Sequence, residues 1–492
     1  MAPIRIRLSS SLRFVLLVSV IFEAGASVFA APETAAPVAA PPASTPGASA
    51  CVDCHARLTP GIVNDWKLSK HRLNDVDCSV CHGSDHTSAA DAAKAKMPTP
   101  ETCGACHATQ VEQFSKGKHA FAWAAMEAMP TIHWQPMAMI EGMKGCGGCH
   151  KIGLKSDEDI RKLSDAHGSG GFGVASCDSC HTRHTFSVDE ARQPQACQTC
   201  HMGFDHPQWE MYSSSKHGVR NALKQVGVLA PSAAAPTCQT CHMAKGNHEV
   251  RTAWGFLAVR LPMPQDAQWT ADRTTILQAL GVLDPAGQPT ARLEVVKKAD
   301  VARLDEESWQ KERDRMAAVC RQCHAPRFAA EQLQAGDDMI RQADHLMAEG
   351  IRTVAALYAD GFLKKPASYA AAFPDLLTFH DAPTPIEQTL FVMYLEHRMR
   401  AFQGTFHASP DYALWYGWSE MQRDLTEIRA MAEDLRRRPA EVPPGAGPEK
   451  AAPPAPPEPP APKPAAEKKK PRKIQIGGAK PGIPGPADPT PN

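Results

Sequence analysis

Sixteen cysteines, grouped in eight pairs of identical spacing, constrain this 492-residue chain more than any other feature. In each pair two residues separate the cysteines, and a histidine follows the second cysteine directly. This is the c-type attachment pattern, in which two thiols add to the vinyl groups of one porphyrin and the adjacent imidazole binds the iron. A single copy could be a zinc knuckle or chance, but eight copies with no cysteine left over predict eight covalent haems c rather than disulfides. The motifs, numbered haem 1 to haem 8 in chain order, are Cys51/Cys54/His55, Cys78/Cys81/His82, Cys103/Cys106/His107, Cys146/Cys149/His150, Cys177/Cys180/His181, Cys197/Cys200/His201, Cys238/Cys241/His242 and Cys320/Cys323/His324.

The first thirty residues have the composition of an export signal. Arg5, Arg7 and Arg13 precede an apolar run over residues 14–22, and small residues follow up to position 30. The apolar run is too short for a stable membrane span, so a signal peptide over residues 1–30 is favoured over an uncleaved anchor. We therefore expect a periplasmic or otherwise exported protein that is soluble after cleavage.

Low-complexity segments flank the region that carries the motifs. Residues 31–50 form an Ala/Pro linker, and residues 439–492 form a Pro/Ala/Lys tail with almost no large apolar side chains. Such a tail cannot bury a core and is predicted to be disordered. Its basic cluster at residues 468–473 could dock on an anionic surface, although a solvated spacer is the favoured interpretation.

Charge indicates the kind of partner to expect. The formal net charge is zero, but the leader carries +2 and the tail +3, so the remainder carries −5 before haem propionates are added. An acidic holoprotein gives no sign of nucleic-acid binding and suits a small redox partner with a basic face.

The histidine count indicates which haem could do chemistry. Eight of the 21 histidines belong to the motifs, which leaves thirteen for other roles. A haem that only transfers electrons usually has two strong axial ligands, whereas a haem that binds a substrate needs an open position.

Several stretches resemble the octahaem hydroxylamine oxidoreductase family over nearly the whole region from 51 to 438. The matching segments are 177–187 (CDSCHTRHTFS), 205–210 (DHPQWE), 215–218 (SKHG) and 235–243 (APTCQTCHM), with weaker matches at 66–71, 85–87 and 406–410. The resemblance implies seven distal haem ligands, one fewer than the haems, and leaves haem 4, with His150 as its proximal ligand, open. These seven implied ligands are His71, His86, His119, His184, His217, His248 and His407, with His133 as an alternative to His119.

The resemblance also implies a catalytic pair. Asp205 and His206 follow the sixth motif, where the family has a carboxylate that orients a proton-relaying histidine over the open iron. Imidazole titrates near neutral pH, which suits redox chemistry that moves protons with electrons. The alternative is that His206 is itself an axial ligand.

Two tyrosines of the oxidative family members have no counterpart here. Alignment on the Gly-Trp pair at 417–418 places Leu414 at the position of the cross-linking tyrosine, with Tyr412 and Tyr416 on either side, and Leu257 aligns with a second active-site tyrosine. Leucine cannot form the cross-link, so reduction of nitrite or hydroxylamine at haem 4 is favoured over oxidation of hydroxylamine or hydrazine. A pure electron conduit remains a further alternative. The Cys-x-x-Cys-Lys motif of other multihaem nitrite and tetrathionate reductases does not occur.

We expect a mainly α fold with a haem-packed core and long C-terminal helices. Residues 51–325 would form the octahaem domain, and residues 326–438 a helical domain that contributes a haem ligand. Met421, Leu425, Ile428 and Leu435 form one apolar helical stripe, more typical of intramolecular packing than of a subunit seam. The resemblance implies a homotrimer through C-terminal helices. We also expect a cytochrome or a quinol-oxidising membrane protein as redox partner. The glycine-rich segment 168–173 is interpreted as a turn, since a haem motif follows it within a few residues.

Overall fold

The computed structural model describes residues 50–128, 147–161, 176–203, 205–254, 263–293, 305–367, 369, 372–377 and 382–437. Outside these residues lie the predicted leader 1–30, the linker up to residue 49, Cys146, His133, Leu257, the segment 168–173 and the tail 439–492. The described part is mainly helical, which confirms the predicted fold class. Its only β pairing is an isolated bridge between Leu283 and Pro289.

Short helices dominate the first half of the chain and longer ones the second. The described α-helices are α1 (Ala50–Leu58), α2 (Pro60–Leu68), α3 (Lys70–Leu73), α4 (Cys78–His82), α5 (Pro100–Lys116), α6 (Ala122–Ala128), α7 (Gly147–His150), α8 (Val188–Ala191), α9 (Gln195–Gln198), α10 (Gln208–Ser214), α11 (Lys216–Gln225), α12 (Cys238–His242), α13 (Ala267–Ala279), α14 (Glu306–Cys320), α15 (Pro326–Ala359), α16 (Pro385–Val392), α17 (Met399–Phe406), α18 (Pro410–Ala413) and α19 (Ser419–Arg437). Short 3₁₀ segments lie at Ala89–Lys94, Lys118–Phe121, Cys177–Ser179 and Ala244–Gly246, and π-helical turns at Met393–Arg398 and Leu414–Trp418.

The attachment motifs coincide with helical turns. One turn of helix places the two cysteines, three residues apart, on the same face, so both can meet one porphyrin edge. Side-chain caps start several of these turns. Asp77 accepts the Ser79 amide (2.8 Å) ahead of α4, and Thr237 accepts the Thr240 amide (3.4 Å) ahead of α12. Capping of this kind satisfies N–H groups that the first helical turn leaves unpaired.

The C-terminal helices build the main apolar core of the protein. Helices α13, α16 and α19 pack against the 34-residue α15. Met421, Leu425 and Ile428 of α19 are buried in this core, and Leu435 packs partly buried against it. The predicted stripe on α19 therefore serves intramolecular packing.

A buried charge network ties these helices together. The Asp344 carboxylate on α15 accepts hydrogen bonds from the Arg398 guanidinium (2.7 and 3.0 Å) and from Trp269 Nε1 (2.8 Å), and Arg273 lies 3.4 Å away. Asp344, Arg273 and Arg398 are all almost fully buried. A buried carboxylate of this kind is tolerated because charged donors surround it.

The C-terminal helices also reach the motif-bearing half of the chain. Helix α17 ends at Phe406 and His407 follows as its C-cap, while Ser409 and Ser214 share a 3.0 Å hydroxyl hydrogen bond. A residue more than eighty positions beyond the last haem motif is thereby placed beside the haem region. None of the helices in the described ranges is long and apolar enough to cross a bilayer.

Candidate haem centres

Seven of the eight motif histidines face a second histidine ring. The centroid separations fall in a narrow band from 6.0 to 6.3 Å. The pairs are His55–His86 (6.1 Å), His82–His184 (6.2 Å), His107–His71 (6.2 Å), His181–His248 (6.3 Å), His201–His119 (6.0 Å), His242–His407 (6.3 Å) and His324–His217 (6.0 Å).

This separation is the one that a metal ion between two imidazoles would set. Two metal–nitrogen bonds of about 2 Å each, together with the radii of the two rings, sum to about 6 Å. The rings are therefore spaced to hold an iron and a flat macrocycle between them. Each of the seven distal histidines implied by the family resemblance occupies one of these pairs, and His119 faces His201.

Hydrogen bonds at Nδ1 orient many of these rings. With Nδ1 engaged, Nε2 is the nitrogen left for the iron, and the ring cannot rotate freely. The Nδ1 partners are Thr59 Oγ1 for His55 (2.8 Å), Lys96 O for His82 (2.9 Å), Asp91 Oδ1 for His86 (3.0 Å), Ala122 O for His150 (2.8 Å), Gln208 Oε1 for His201 (3.2 Å) and Gln403 O for His407 (2.7 Å).

Burial keeps two of the paired rings in the form that binds metal. Desolvation, and then the neighbouring His201, lower the pKa of His119 to about 4. Desolvation, and then nearby histidines, lower the pKa of His242 to about 3. Both imidazoles are thus neutral at neutral pH, as an axial ligand must be.

Among the described residues of the motif-bearing half, few apolar side chains are buried by protein alone. Val63, Met211 and Tyr212 are among them, whereas the large cluster of buried apolar residues runs from Ile276 to Ala432. The interior between the short helices therefore needs large, flat apolar groups to fill it. Haem is such a group, and the histidine pairs and attachment cysteines around this interior are residues that would hold it.

His150 differs from the other motif histidines. Its Nδ1 is held by the Ala122 carbonyl at 2.8 Å, so the ring is oriented as a proximal ligand. In the part of the chain that the structure describes, no other histidine ring faces it at the spacing of the seven pairs. Cys149, which precedes it, belongs to the same attachment motif, whose first cysteine, Cys146, lies outside the described residues.

Contacts between cysteines order the motifs in space. The side chains of three cysteine pairs from different motifs lie beside each other: Cys103 and Cys177, Cys197 and Cys238, and Cys149 and Cys200. Four further pairs are close enough to interact electrostatically, namely Cys51–Cys78, Cys81–Cys103, Cys180–Cys197 and Cys241–Cys320. Motifs 1, 2, 3, 5, 6, 7 and 8 therefore adjoin one another in that order, and motif 4 adjoins motif 6.

Two of the predicted attachment cysteines stand apart from the others in burial. Protein alone leaves Cys106 and Cys323 exposed, whereas the other described cysteines, Cys54 among them, are half-buried. Each of the two exposed cysteines is the second cysteine of its motif, on a turn against which protein alone packs little. Cys106 still interacts electrostatically with Cys81, and Cys323 with Cys241, so both lie beside a neighbouring motif.

Haem attachment at Cys54, Cys106 and Cys323 stays a prediction of their motifs, which each place a second cysteine and a histidine three and four residues after the first. No two cysteines in the described ranges are paired in a disulfide, so each of them is available for attachment.

Asp205 and His206 form a hydrogen-bonded pair beside motif 6. Asp205 Oδ1 bonds to His206 Nδ1, and the His206 ring also interacts with the Cys200 backbone. Burial lowers the pKa of His206, but the Asp205 carboxylate more than offsets this, so the net pKa is raised from its ordinary value. Because Cys200 contacts Cys149, the pair lies near the junction of motifs 4 and 6. The His206 ring is also 6.5 Å from that of His201, which His119 already faces.

Two glutamines that the sequence analysis did not single out belong to this site. Gln208 bonds to the His201 ring, and Gln403 bonds to Gln208 and to the Asp205 carbonyl. Glutamine has no motif of its own, and the two residues are 195 positions apart. The sequence does contain one indication of Gln403: it precedes the expected haem ligand His407 by one helical turn, so both residues lie on the same helix face.

The tyrosines near the Gly-Trp pair contact each other. The rings of Tyr412 and Tyr416 are 5.1 Å apart, and burial raises the pKa of Tyr412. Leu414, Trp415 and Tyr416 are exposed on a π-helical turn. This turn therefore presents apolar side chains at the protein surface.

The geometry and the motifs define a class, the multihaem c-type cytochromes. The family model described as "Seven times multi-haem cytochrome CxxCH" matches residues 47–275 and 291–368, and the chain belongs to this family. Its resemblance to hydroxylamine oxidoreductase (HAO)-like proteins, predicted from the sequence, is confirmed by the relatives it matches.

One relative is described as "Probable nitrite reductase-hydroxylamine oxidoreductase fusion protein" from Kuenenia stuttgartiensis. It is 28% identical over 79% of this chain. The match covers 51% of the relative, so the chain spans about half its length.

Two solved structures share the fold. A reducing HAO-like protein complex of Kuenenia stuttgartiensis aligns with a TM-score of 0.56 and 26% identity, over 79% of this chain and 85% of that one. A hypothetical multihaem protein aligns with a TM-score of 0.55 and 22% identity, over 80% of this chain and 96% of that one, and supports the fold alone.

Proposed function

We propose that the protein is an octahaem oxidoreductase acting on small nitrogen compounds at haem 4, with reduction of nitrite or hydroxylamine as the favoured direction. One observation carries the proposal. Seven motif histidines face a second ring at 6.0–6.3 Å, whereas His150 is oriented by the Ala122 carbonyl and has no such partner among the described residues. Seven haems would then be six-coordinate and would only transfer electrons, and haem 4 would have an open axial position.

A bound haem with an open position supplies an iron that can bind a small nitrogen ligand and exchange electrons with it. The chain's own residues orient the parts of this site. The Ala122 carbonyl fixes the His150 ring. Cys149, the second attachment cysteine of motif 4, lies beside Cys200 of motif 6. His150 and Cys149 would thus be held in position to bind haem 4, and the bound haem would supply the iron that takes the substrate.

The order of the motifs supports an electron path to this site. Motifs 1, 2, 3, 5, 6, 7 and 8 form a continuous row, and motif 4 branches from it at motif 6 through the contact of Cys149 with Cys200. Electrons entering the row at either end would reach haem 4 through haem 6.

Proton supply is assigned to Asp205 and His206. The Asp205 carboxylate bonds to His206 Nδ1, which orients the ring and favours its protonated form. Reduction of nitrite or hydroxylamine consumes protons together with electrons, so a histidine poised to donate fits this direction. If His206 were instead an axial ligand, it would compete with His119 for the iron beside His201.

The favoured direction is supported by Leu414 and by the relatives. Leucine cannot form a tyrosine cross-link, and one solved relative is described as a reducing HAO-like complex. Peptide mass spectrometry of the haem 4 peptide from native protein tests this directly. A haem 4 peptide without a covalent partner is expected, whereas a partner peptide from residues 411–418 would identify Tyr412 or Tyr416 as a cross-linking residue and favour oxidation.

Turnover assays complete the test. With an artificial electron donor, the protein is expected to consume nitrite or hydroxylamine, and with an electron acceptor it is expected to oxidise hydroxylamine or hydrazine far more slowly. Faster oxidation would reverse the assigned direction. No turnover in either assay would favour the electron conduit, with His133 or His206 as an eighth distal ligand.

We also propose that the protein forms a homotrimer and exchanges electrons with a cytochrome or a quinol-oxidising membrane protein. The exposed apolar turn at Leu414, Trp415 and Tyr416 is available for contacts between subunits. Sedimentation velocity of the haem-loaded protein should give three times the mass of one subunit, and a monomer at all concentrations would contradict the trimer.

A further inference from the structure

A chain of hydrogen bonds joins the haem 6 ligand to the segment that carries Asp205 and His206. The His201 ring bonds through Nδ1 to Gln208 Oε1 (3.2 Å), and Gln208 Nε2 bonds to Gln403 Oε1 (3.0 Å). Gln403 Nε2 then bonds to the Asp205 backbone carbonyl (3.2 Å). Gln403 is buried and Gln208 half-buried, so water does not readily replace these bonds.

The direction of every bond in this chain is fixed from one end. A backbone carbonyl can only accept, so Gln403 must turn its NH₂ group towards Asp205 and its oxygen towards Gln208. Gln208 must then donate to Gln403, which leaves only its oxygen to face the His201 ring. His201 Nδ1 must therefore carry the proton, and Nε2 is left for the iron.

Gln403 holds a second haem ligand as well. Its backbone carbonyl accepts from the His407 ring (2.7 Å) and from the His407 amide (3.0 Å) at the end of α17. The position of this one residue is thus coupled to His201, His407 and Asp205. Three separate parts of the haem region meet at its side chain and its carbonyl.

We propose that Gln208 and Gln403 form a positioning bridge that fixes the tautomer of the haem 6 ligand and ties it to the catalytic segment. The role assigned to the segment rests on the proposed function, whereas the effect on His201 does not. An acceptor at Nδ1 strengthens the imidazole as a donor to iron, which stabilises the oxidised state and lowers the haem potential. A substitution at Gln208 or Gln403 should therefore alter both the potential of haem 6 and the position of the Asp205–His206 pair.

Potentiometric titration of the haem-loaded, full-length protein tests the bridge through two substitutions at Gln208. Gln208→Glu places a carboxylate against His201 Nδ1, so the potential of one low-spin haem should fall. Gln208→Leu removes the acceptor, so the same component should shift to a higher potential. The two potential shifts are expected to have opposite signs. This distinguishes the bridge from a general loosening of the fold, which would shift the haem potential in the same direction in both variants.

A matched control is available at the surface. Gln225 and Gln193 form another glutamine pair at 3.0 Å, with both residues exposed. Gln225→Leu should leave all haem potentials at their wild-type values. Unchanged potentials in both Gln208 variants, or shifts of the same sign, would overturn the bridge.

Gln403→Leu tests the other end of the bridge. It removes the donor to the Asp205 carbonyl but leaves the His201–Gln208 bond, so turnover should fall roughly tenfold or more while the haem 6 potential changes less than in Gln208→Leu. Wild-type turnover in folded, fully haem-loaded Gln403→Leu would refute coupling to the catalytic segment. If the wild type itself shows no turnover, the proposed function fails. The shifts of the haem 6 potential in the Gln208 variants still test whether the bridge acts on His201.

Discussion

Replacing His407 with alanine should create a second open haem. In the structure the His407 ring lies 6.3 Å from that of His242, at the spacing for an iron between them, and it is partly buried. Alanine ends at Cβ and offers no ligand, so haem 7 would become five-coordinate or bind water. With eight attachment motifs, the high-spin fraction should double from one haem in eight to two in eight.

The substitution should leave a folded protein. It removes the hydrogen bond from the His407 ring to the Gln403 carbonyl, which costs about 0.5–1.5 kcal/mol. Haem 7 remains covalently attached through Cys238 and Cys241 and keeps His242 as its proximal ligand. The variant can therefore be purified and compared with wild type at equal haem content.

Ferric EPR and magnetic circular dichroism measure the high-spin fraction. His345→Ala is the matched control, because His345 also lies in the C-terminal helices but is half-exposed and bonds to Asp272 (2.9 Å) instead of facing a motif histidine. The control should keep the wild-type spectrum. An unchanged spectrum for His407→Ala, or an equal change in the control, would refute the assignment of ligands from ring pairs.

Three further substitutions probe the core and the proposed proton donor, His206. Asp344→Ala leaves Arg398 buried without its carboxylate, and chemical denaturation should show a loss of about 3–5 kcal/mol; a loss below about 1 kcal/mol would mean that the network contributes little. Ile428→Ala empties a fully buried position and should cost about 2–5 kcal/mol by the same measurement, whereas an exposed seam residue would cost far less. His206→Ala should lower turnover about 10²–10⁴-fold without changing the high-spin fraction. A rise in that fraction would instead identify His206 as an axial ligand.

Local patterns carried the predictions that came from the sequence. The attachment motifs need only five consecutive residues each, so their positions could be read directly, and the stripe of Met421, Leu425 and Ile428 needs only helical periodicity. The mainly α fold class followed from such patterns and is confirmed. The distal histidines came from resemblance to a family, since spacing alone does not say which motif His407 faces.

Burial and long-range polar contacts could not be predicted in this way. The motif pattern is the same at exposed Cys106 as at half-buried Cys103, so it does not say how deeply a thiol lies. The Gln208–Gln403 bond joins residues 195 positions apart, with no spacing that distinguishes them from surface glutamines. Both properties depend on how the helices pack, which is a property of the whole fold.

The spin state of the purified, haem-loaded wild-type protein tests the central claim most directly. The seven histidine pairs, and His150, which no other histidine ring faces among the described residues, predict seven low-spin haems and one five-coordinate high-spin haem. That haem should bind nitrite or hydroxylamine with a change in its spectrum. Eight low-spin haems with no response to either ligand would contradict an open haem 4 and leave an electron conduit as the function.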